Sequence, residues 1–181
     1  MNCPVCKTEI LAALQIEEGL PAFHCAHCSG QWIAADAYLA WVTVRENLPE
    51  EPYQGRELTI NDDQRARLCP NCRGIMLRYQ VGHGTSVILD QCGSCNGIWF
   101  DQDEWEALKG RNLHDNIHHI FTAPWQDAVR REEVSAHLDK IYRQRFGEDY
   151  DEALRIRDWL NNHSQRSHLL AFLQDENPYQ A

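Results

Sequence analysis

The 181-residue chain is 43% hydrophobic, yet it has no run of 18 apolar residues, which excludes a membrane-spanning helix. Its N-terminus, MNCPVCKTEI, lacks the basic cluster and apolar stretch of a secretory signal, so a cytoplasmic location is the expectation. Positive charge is also scarce. Seventeen Lys and Arg face 27 Asp and Glu for a net −10, and residues 1–48, 49–68, 69–110 and 111–181 carry −3, −2, −2 and −3. Phosphate binding relies on clustered cations that displace counterions, so this balance disfavours direct nucleic-acid binding. Arg143 and Arg145, like Arg155 and Arg157, stand two positions apart and point to opposite sides of a helix. There is no serine elbow, phosphate loop or other nucleophile arrangement, and the chain reads as a non-enzyme.

What the chain does have is eight cysteines. In a reducing compartment, paired cysteines hold metal or do redox chemistry more often than they form disulfides. They are arranged as a repeat. Cys3, Pro4 and Cys6 recur as Cys69, Pro70 and Cys72, and Cys25 and Cys28 recur as Cys92 and Cys95. The match continues with Gly30 and Trp32 answering Gly97 and Trp99, and Asp36 answering Asp103. This divides the chain into a first cysteine unit (1–44), a linker rich in proline and charge (45–67), a second unit (68–110) and a cysteine-free region (111–181).

Within each unit two Cys-x-x-Cys pairs flank a strand, turn and strand. In the second, Ile75, Leu77, Tyr79 and Val81 alternate, GHGT turns the chain, and Val87 to Leu89 return to Cys92. The first uses Ile10 to Ile16, the turn EEGLP, and Ala22 to Cys25. A hairpin brings its ends together, which places four thiolates around one tetrahedral ion. The small size of the units supplies the need. Modules this short rarely bury enough apolar surface to offset chain entropy, whereas structural zinc contributes on the order of 10 to 16 kcal/mol. The metal ligands expected are Cys3, Cys6, Cys25 and Cys28 in one site and Cys69, Cys72, Cys92 and Cys95 in the other, with one Zn2+ each. Iron in a four-thiolate site and redox-active pairs are the competing readings. The matched pairs of pairs argue against a thioredoxin-type site, which needs one pair in a βαβ setting. Two filled sites would take the charge to about −14, since four thiolates around one divalent ion leave −2.

The residues CPNC and CGSCNGIWFDQDEWEAL resemble the TFIIB-type zinc ribbon family of bacteria. Cys69, Pro70, Cys72, Cys92, Cys95, Gly97, Trp99, Asp101 and Glu104 carry the likeness. The first unit keeps Cys3, Cys6, Cys25, Cys28, Gly30 and Trp32, but has Ala34 and Ala37 in place of the acidic pair. The resemblance implies two tandem zinc ribbons, a small metal-bound α+β fold, in a transcription-related setting. Asp101 and Glu104 have the spacing of a capping box for a following helix. Trp32 and Trp99 are expected as core side chains shielding the metal knuckles.

Residues 111–181 have helical periodicity. Val134, Leu138, Ile141 and Tyr142 share one face, Phe146 and Gly147 end that helix, and Asp149 and Ser164 are candidate caps for helices over 153–160 and 165–173. The apolar stripe is expected to be buried in a helical bundle. His114, Asp115, His118 and His119 form i, i+4 pairs that would share a helix face and bring a third ion into question. His24 and His27 flank Cys25 and are expected beside the metal rather than on it. The chain thus reads as a noncatalytic zinc protein recognising another macromolecule, foremost a protein. A nucleic-acid-binding transcription factor and a thiol-based redox or zinc sensor are the rivals.

Overall fold

The structure is a computed structural model and describes residues 1–45, 65–82 and 84–179. Most of the expected linker therefore lies outside the described residues, as does His83 of the second turn. The chain divides into two units, Met1–Arg130 and Arg131–Ala181. The division falls beyond the second cysteine repeat because residues 111–130 fold onto that repeat.

In the first unit, β1 (Ala12–Glu17) and β2 (Leu20–His24) form an antiparallel hairpin, followed by the short β3 (Gln31–Ile33) and helix α1 (Ala35–Arg45). The plan repeats with β4 (Met76–Gly82), β5 (Thr85–Cys92), β6 (Ile98–Phe100) and α2 (Glu104–Lys109). The first turn is tighter than EEGLP suggested. Gly19, at φ +77, closes it, and Leu20 already lies in the strand with no exposed surface.

The two hairpins join edge to edge. β3 pairs antiparallel with β6, Trp32 opposite Trp99, Gln31 opposite Phe100 and Ile33 opposite Ile98. The result is one six-stranded sheet in the order β1-β2-β3-β6-β5-β4. Three-residue strands have too little alternation to be read from sequence, so the element that fuses the repeats went undetected there.

The sheet is covered on both faces. On one face Leu20, Ile33, Leu89, Ile98 and Phe100 pack with Tyr38 and Trp41 of α1 and with Trp105 and Leu108 of α2. Helix α3 (Ile117–Ile120) and the first turns of α4 (Ala123–Phe146) complete this layer. Trp125 Nε1 donates to the carbonyl of Val81 (2.9 Å), Gln126 Nε2 to that of Gln80 (2.8 Å), and Val129 is buried. The Tyr38 hydroxyl donates to the carbonyl of His114 (3.1 Å) and accepts from the amide of Ile117 (3.0 Å), tying α1 to the chain after α2. On the other face Leu11, Met76, Trp32 and Trp99 pack with Cys3, Cys25, Cys69 and Cys92.

In the second unit α4 ends at Phe146, and Gly147 follows at φ +56 in a short 3-10 turn. Helices α5 (Tyr150–Asn161) and α6 (Arg166–Gln174) follow. Asp149 sits at the start of α5 without a side-chain cap, and Gln165, not Ser164, precedes α6. The stripe expected to be core is exposed instead, with Val134 at 58%, Leu138 at 42%, Ile141 at 41% and Tyr142 at 42%. Among the described residues of this unit only Tyr150 and Leu160 are buried apolar side chains, because α5 packs on α6 and meets α4 through Asp139 and Arg143, leaving the stripe exposed. No described helix is long and apolar enough to cross a membrane.

Candidate metal centres

Each Cys-x-x-Cys forms the same tight knuckle. The residue after the second cysteine takes a left-handed conformation in all four: Lys7 (φ 67), Ser29 (φ 58), Arg73 (φ 64) and Asn96 (φ 56). Its amide donates to the carbonyl of the first cysteine at 2.9 to 3.0 Å. Amides inside the turns also point at sulfur. Cys6 N lies 3.3 Å from Cys3 Sγ, Asn71 N and Cys72 N lie 3.3 Å from Cys69 Sγ, and Ser94 N lies 3.4 Å from Cys92 Sγ. The backbone is thus folded around where negative sulfur will stand.

The hairpins bring the knuckles together in pairs. Cys3, Cys6, Cys25 and Cys28 form one group and Cys69, Cys72, Cys92 and Cys95 the other, with all sulfurs of a group within 4.8 Å of one another. Sγ separations are 3.6 Å for Cys3–Cys28, 3.8 Å for Cys6–Cys25, 3.6 Å for Cys69–Cys95 and 3.4 Å for Cys72–Cys92. Thiolates about 2.3 Å from a tetrahedral zinc ion stand roughly 3.8 Å apart, so both groups fit one Zn2+ each. None of the eight cysteines is in a disulfide.

Ionisation is uneven in each group. Burial pushes the Cys92 thiol up, but the amides of Cys95 and Ser94 outweigh it and bring the group down to about 7; Cys25 is lowered in the same way by the amides of Cys28 and His27. Burial raises Cys6 to about 11 and Cys69 to about 12, and raises Cys28 and Cys95 as well. One thiol of each group gives up its proton readily, while the raised ones require the nearby positive charge of the ion.

The model of the transcription factor zinc-finger family matches residues 2–44 and 68–111. Both matches fall on the cysteine units, consistent with two tandem TFIIB-type zinc ribbons. No curated protein and no solved structure matches the chain.

The ribbons interlock through the glycine and tryptophan that follow each second cysteine pair. A Cβ on Gly30 would lie 2.2 Å from the Trp99 ring, and one on Gly97 would lie 2.1 Å from the Trp32 ring. Each tryptophan therefore rests on the glycine of the other ribbon, and sulfurs of both sites share one buried cluster with the two indoles. The expected shielding role of Trp32 and Trp99 holds, but each does it across the repeat.

The second ribbon contains a buried ionic network that the sequence reading missed. Arg67, 5% exposed, donates to Asp90 Oδ2 (2.7 Å) and to both carboxylate oxygens of Asp101 (3.0 and 2.7 Å), and Trp99 Nε1 donates to Asp101 Oδ1 (2.9 Å). The capping box is consequently only half formed. Glu104 Oε2 accepts from the Asp101 amide (2.8 Å), but the Asp101 carboxylate is engaged by Arg67 and caps nothing. Burial raises Glu104 to about 8. At the equivalent positions the first ribbon has Met1, Phe23 and Ala34, so all three charges are absent together. That joint replacement was the available signal, hidden because Arg67 looked like the end of a linker. Helix α1 forms without the acidic pair because Tyr38, Trp41 and Val42 anchor it in the core.

The histidines divide by surroundings. His27 Nδ1 lies 3.4 Å from Cys6 Sγ, beside the first site as expected. Among the described residues no third group of three or more ligand side chains gathers closely enough for an ion, and His114, Asp115, His118 and His119 are not brought together as one. His114 turns inward instead, 6% exposed, against the rings of Trp41 and Trp105 at 5.8 and 5.9 Å, and neither ring nitrogen has a hydrogen-bond partner among the described residues. Burial lowers its pKa, with Arg45 and Lys109 acting in the same direction against Glu17 and Asp115.

Proposed function

We propose that the chain is a noncatalytic zinc protein in which the interlocked ribbons form a rigid platform that recognises another protein in a transcription-related or regulatory assembly. The observation that carries this reading is the pair of four-cysteine groups fused through one sheet. A zinc ion with four protein thiolates has no open position for water or substrate, so its contribution is shape. The knuckles and sheet then present a fixed surface, which lowers the ordering cost of binding. Four cations of this unit are held by its own carboxylates: Arg45 and Lys109 by Glu17, Arg67 by Asp90 and Asp101, and Arg78 by Asp90. Groups held this way are poor phosphate contacts, and the acidic surface suits a basic patch on a protein. A cytoplasmic setting keeps the thiols reduced for zinc.

Direct nucleic-acid contact is the second reading. Its support is Lys7 and Arg73, exposed, repeat-equivalent and lining one cleft between the first knuckles. Two assays separate the readings. Retention of one stoichiometric protein by the zinc-loaded chain, lost after chelation, is the result expected for the platform. Salt-dependent DNA or RNA retardation that disappears in a Lys7→Ala/Arg73→Ala variant would replace it with the second reading.

A further inference from the structure

From Arg131 to Phe146 helix α4 is exposed around its whole circumference, an unusual setting for a helix with this many large apolar side chains. At 100° per residue Val134, Leu138, Ile141 and Tyr142 fall within an arc of about 100° centred near Leu138. Arg131 and Arg145 stand seven residues to either side of Leu138. Seven residues bring a helix back to within about 20°, so both guanidinium groups lie in line with the stripe, one at each end and about 21 Å apart. The other arginines of the helix lie off the stripe and are held by their own chain, Arg130 by Asp127 and Arg143 by Asp139 and Asp151. Arg131 and Arg145 make no ion pair among the described residues.

We infer that this face of α4 docks an amphipathic helix of another protein, apolar along its middle, with an acidic residue at each end two heptads apart. A second copy of this chain is the wrong occupant. The two arginines stand symmetrically about Leu138, so an antiparallel copy would set Arg131 against Arg145, and a parallel copy would set each arginine against itself. An acid-ended helix meets both cations while covering the stripe, the helix-on-helix mode of recognition. The inference rests on the protein-recognition reading and names the surface and the chemistry of one partner.

The test uses the full zinc-loaded chain and three synthetic helical peptides of about 21 residues. They share one leucine-isoleucine stripe and carry Glu, Gln or Lys at the two end positions. Fluorescence anisotropy gives affinity, and amide NMR shifts map the contact. The Glu peptide should bind about tenfold more tightly than the Gln peptide, as two exposed ion pairs supply, and the Lys peptide should be weakest. Shifts should concentrate between Arg131 and Arg145. An Arg131→Glu/Arg145→Glu variant should reverse the order, and Leu138→Glu should remove binding of all three, with helix content checked by circular dichroism. Equal affinities, no reversal in the double variant, or sedimentation showing the free chain paired through this face and released by Leu138→Glu would overturn the inference. If the peptides fail while the chain still retains a stoichiometric protein through residues 1–130, only the α4 surface is wrong. If that retention fails too, the platform reading falls with it.

Discussion

The interlock of the ribbons can be broken with one methyl group. In Gly97→Ala the new Cβ would stand 2.1 Å from Trp32 Cζ2 and 2.2 Å from Cη2. These contacts are backbone against a rigid ring, and Trp32 is 1% exposed, so the indole must leave its place. Overpacking of a core costs about 1 to 3 kcal/mol, and complete displacement of the ring approaches the roughly 3 to 5 kcal/mol of deleting a buried aromatic. A loss near 3 kcal/mol is about 150-fold in the folding equilibrium and about 10 to 15 °C in Tm for a unit of this size. The substitution lies in the second ribbon, but the displaced ring belongs to the first. Chelator competition should therefore show weaker zinc retention at Cys3, Cys6, Cys25 and Cys28 as well as at the altered knuckle. Adding Trp32→Leu should return part of the loss, giving a double-mutant coupling of at least about 1 kcal/mol. A Gly97→Ala protein within about 0.5 kcal/mol of wild type, or strict additivity of the two substitutions, would refute the reasoning.

Arg67→Met should cost about 3 to 5 kcal/mol in thermal or denaturant unfolding, because it leaves Asp90 and Asp101 without their buried cation. Glu104 is raised to about 8 in the folded protein, so the fold holds its proton while the unfolded chain releases it near the ordinary carboxylate value. Stability should fall as pH rises between those values, and Glu104→Gln should raise Tm over wild type at pH 9 but little at pH 5, as scanning calorimetry would show. His114 behaves in the opposite sense. Its folded pKa is lowered, the unfolded chain binds the proton first, and stability declines as pH drops below about 6.5. His114→Phe, which keeps a ring between Trp41 and Trp105, should flatten that decline in Tm measurements between pH 7.5 and 5.5.

Both metal centres were legible in the sequence because cysteine spacing is a local signal and the hairpins between the pairs alternate. The end of α4 was legible for the same reason, since Gly147 marks it directly. What escaped notice depends on distant residues. The pairing of β3 with β6 rests on three residues from each copy, and only the repeated glycine and tryptophan hint at why those two types recur together. Arg67 is an ordinary arginine in a polar stretch until the sheet brings Asp90 and Asp101 beside it. The stripe on α4 shows the converse limit: its period identifies a helix with an apolar face, but period alone carries no information about what covers that face.

The register of β3 against β6 runs symmetrically about the Trp32–Trp99 pair, so each copy contributes the same patch to the contact. That is the isologous relation of subunits in a twofold homodimer, here contained within a single polypeptide. Identical subunits would have to accept every substitution twice. Covalently joined halves are free to diverge, and this chain has done so, with charges at Arg67, Asp90 and Asp101 on one side and Met1, Phe23 and Ala34 on the other.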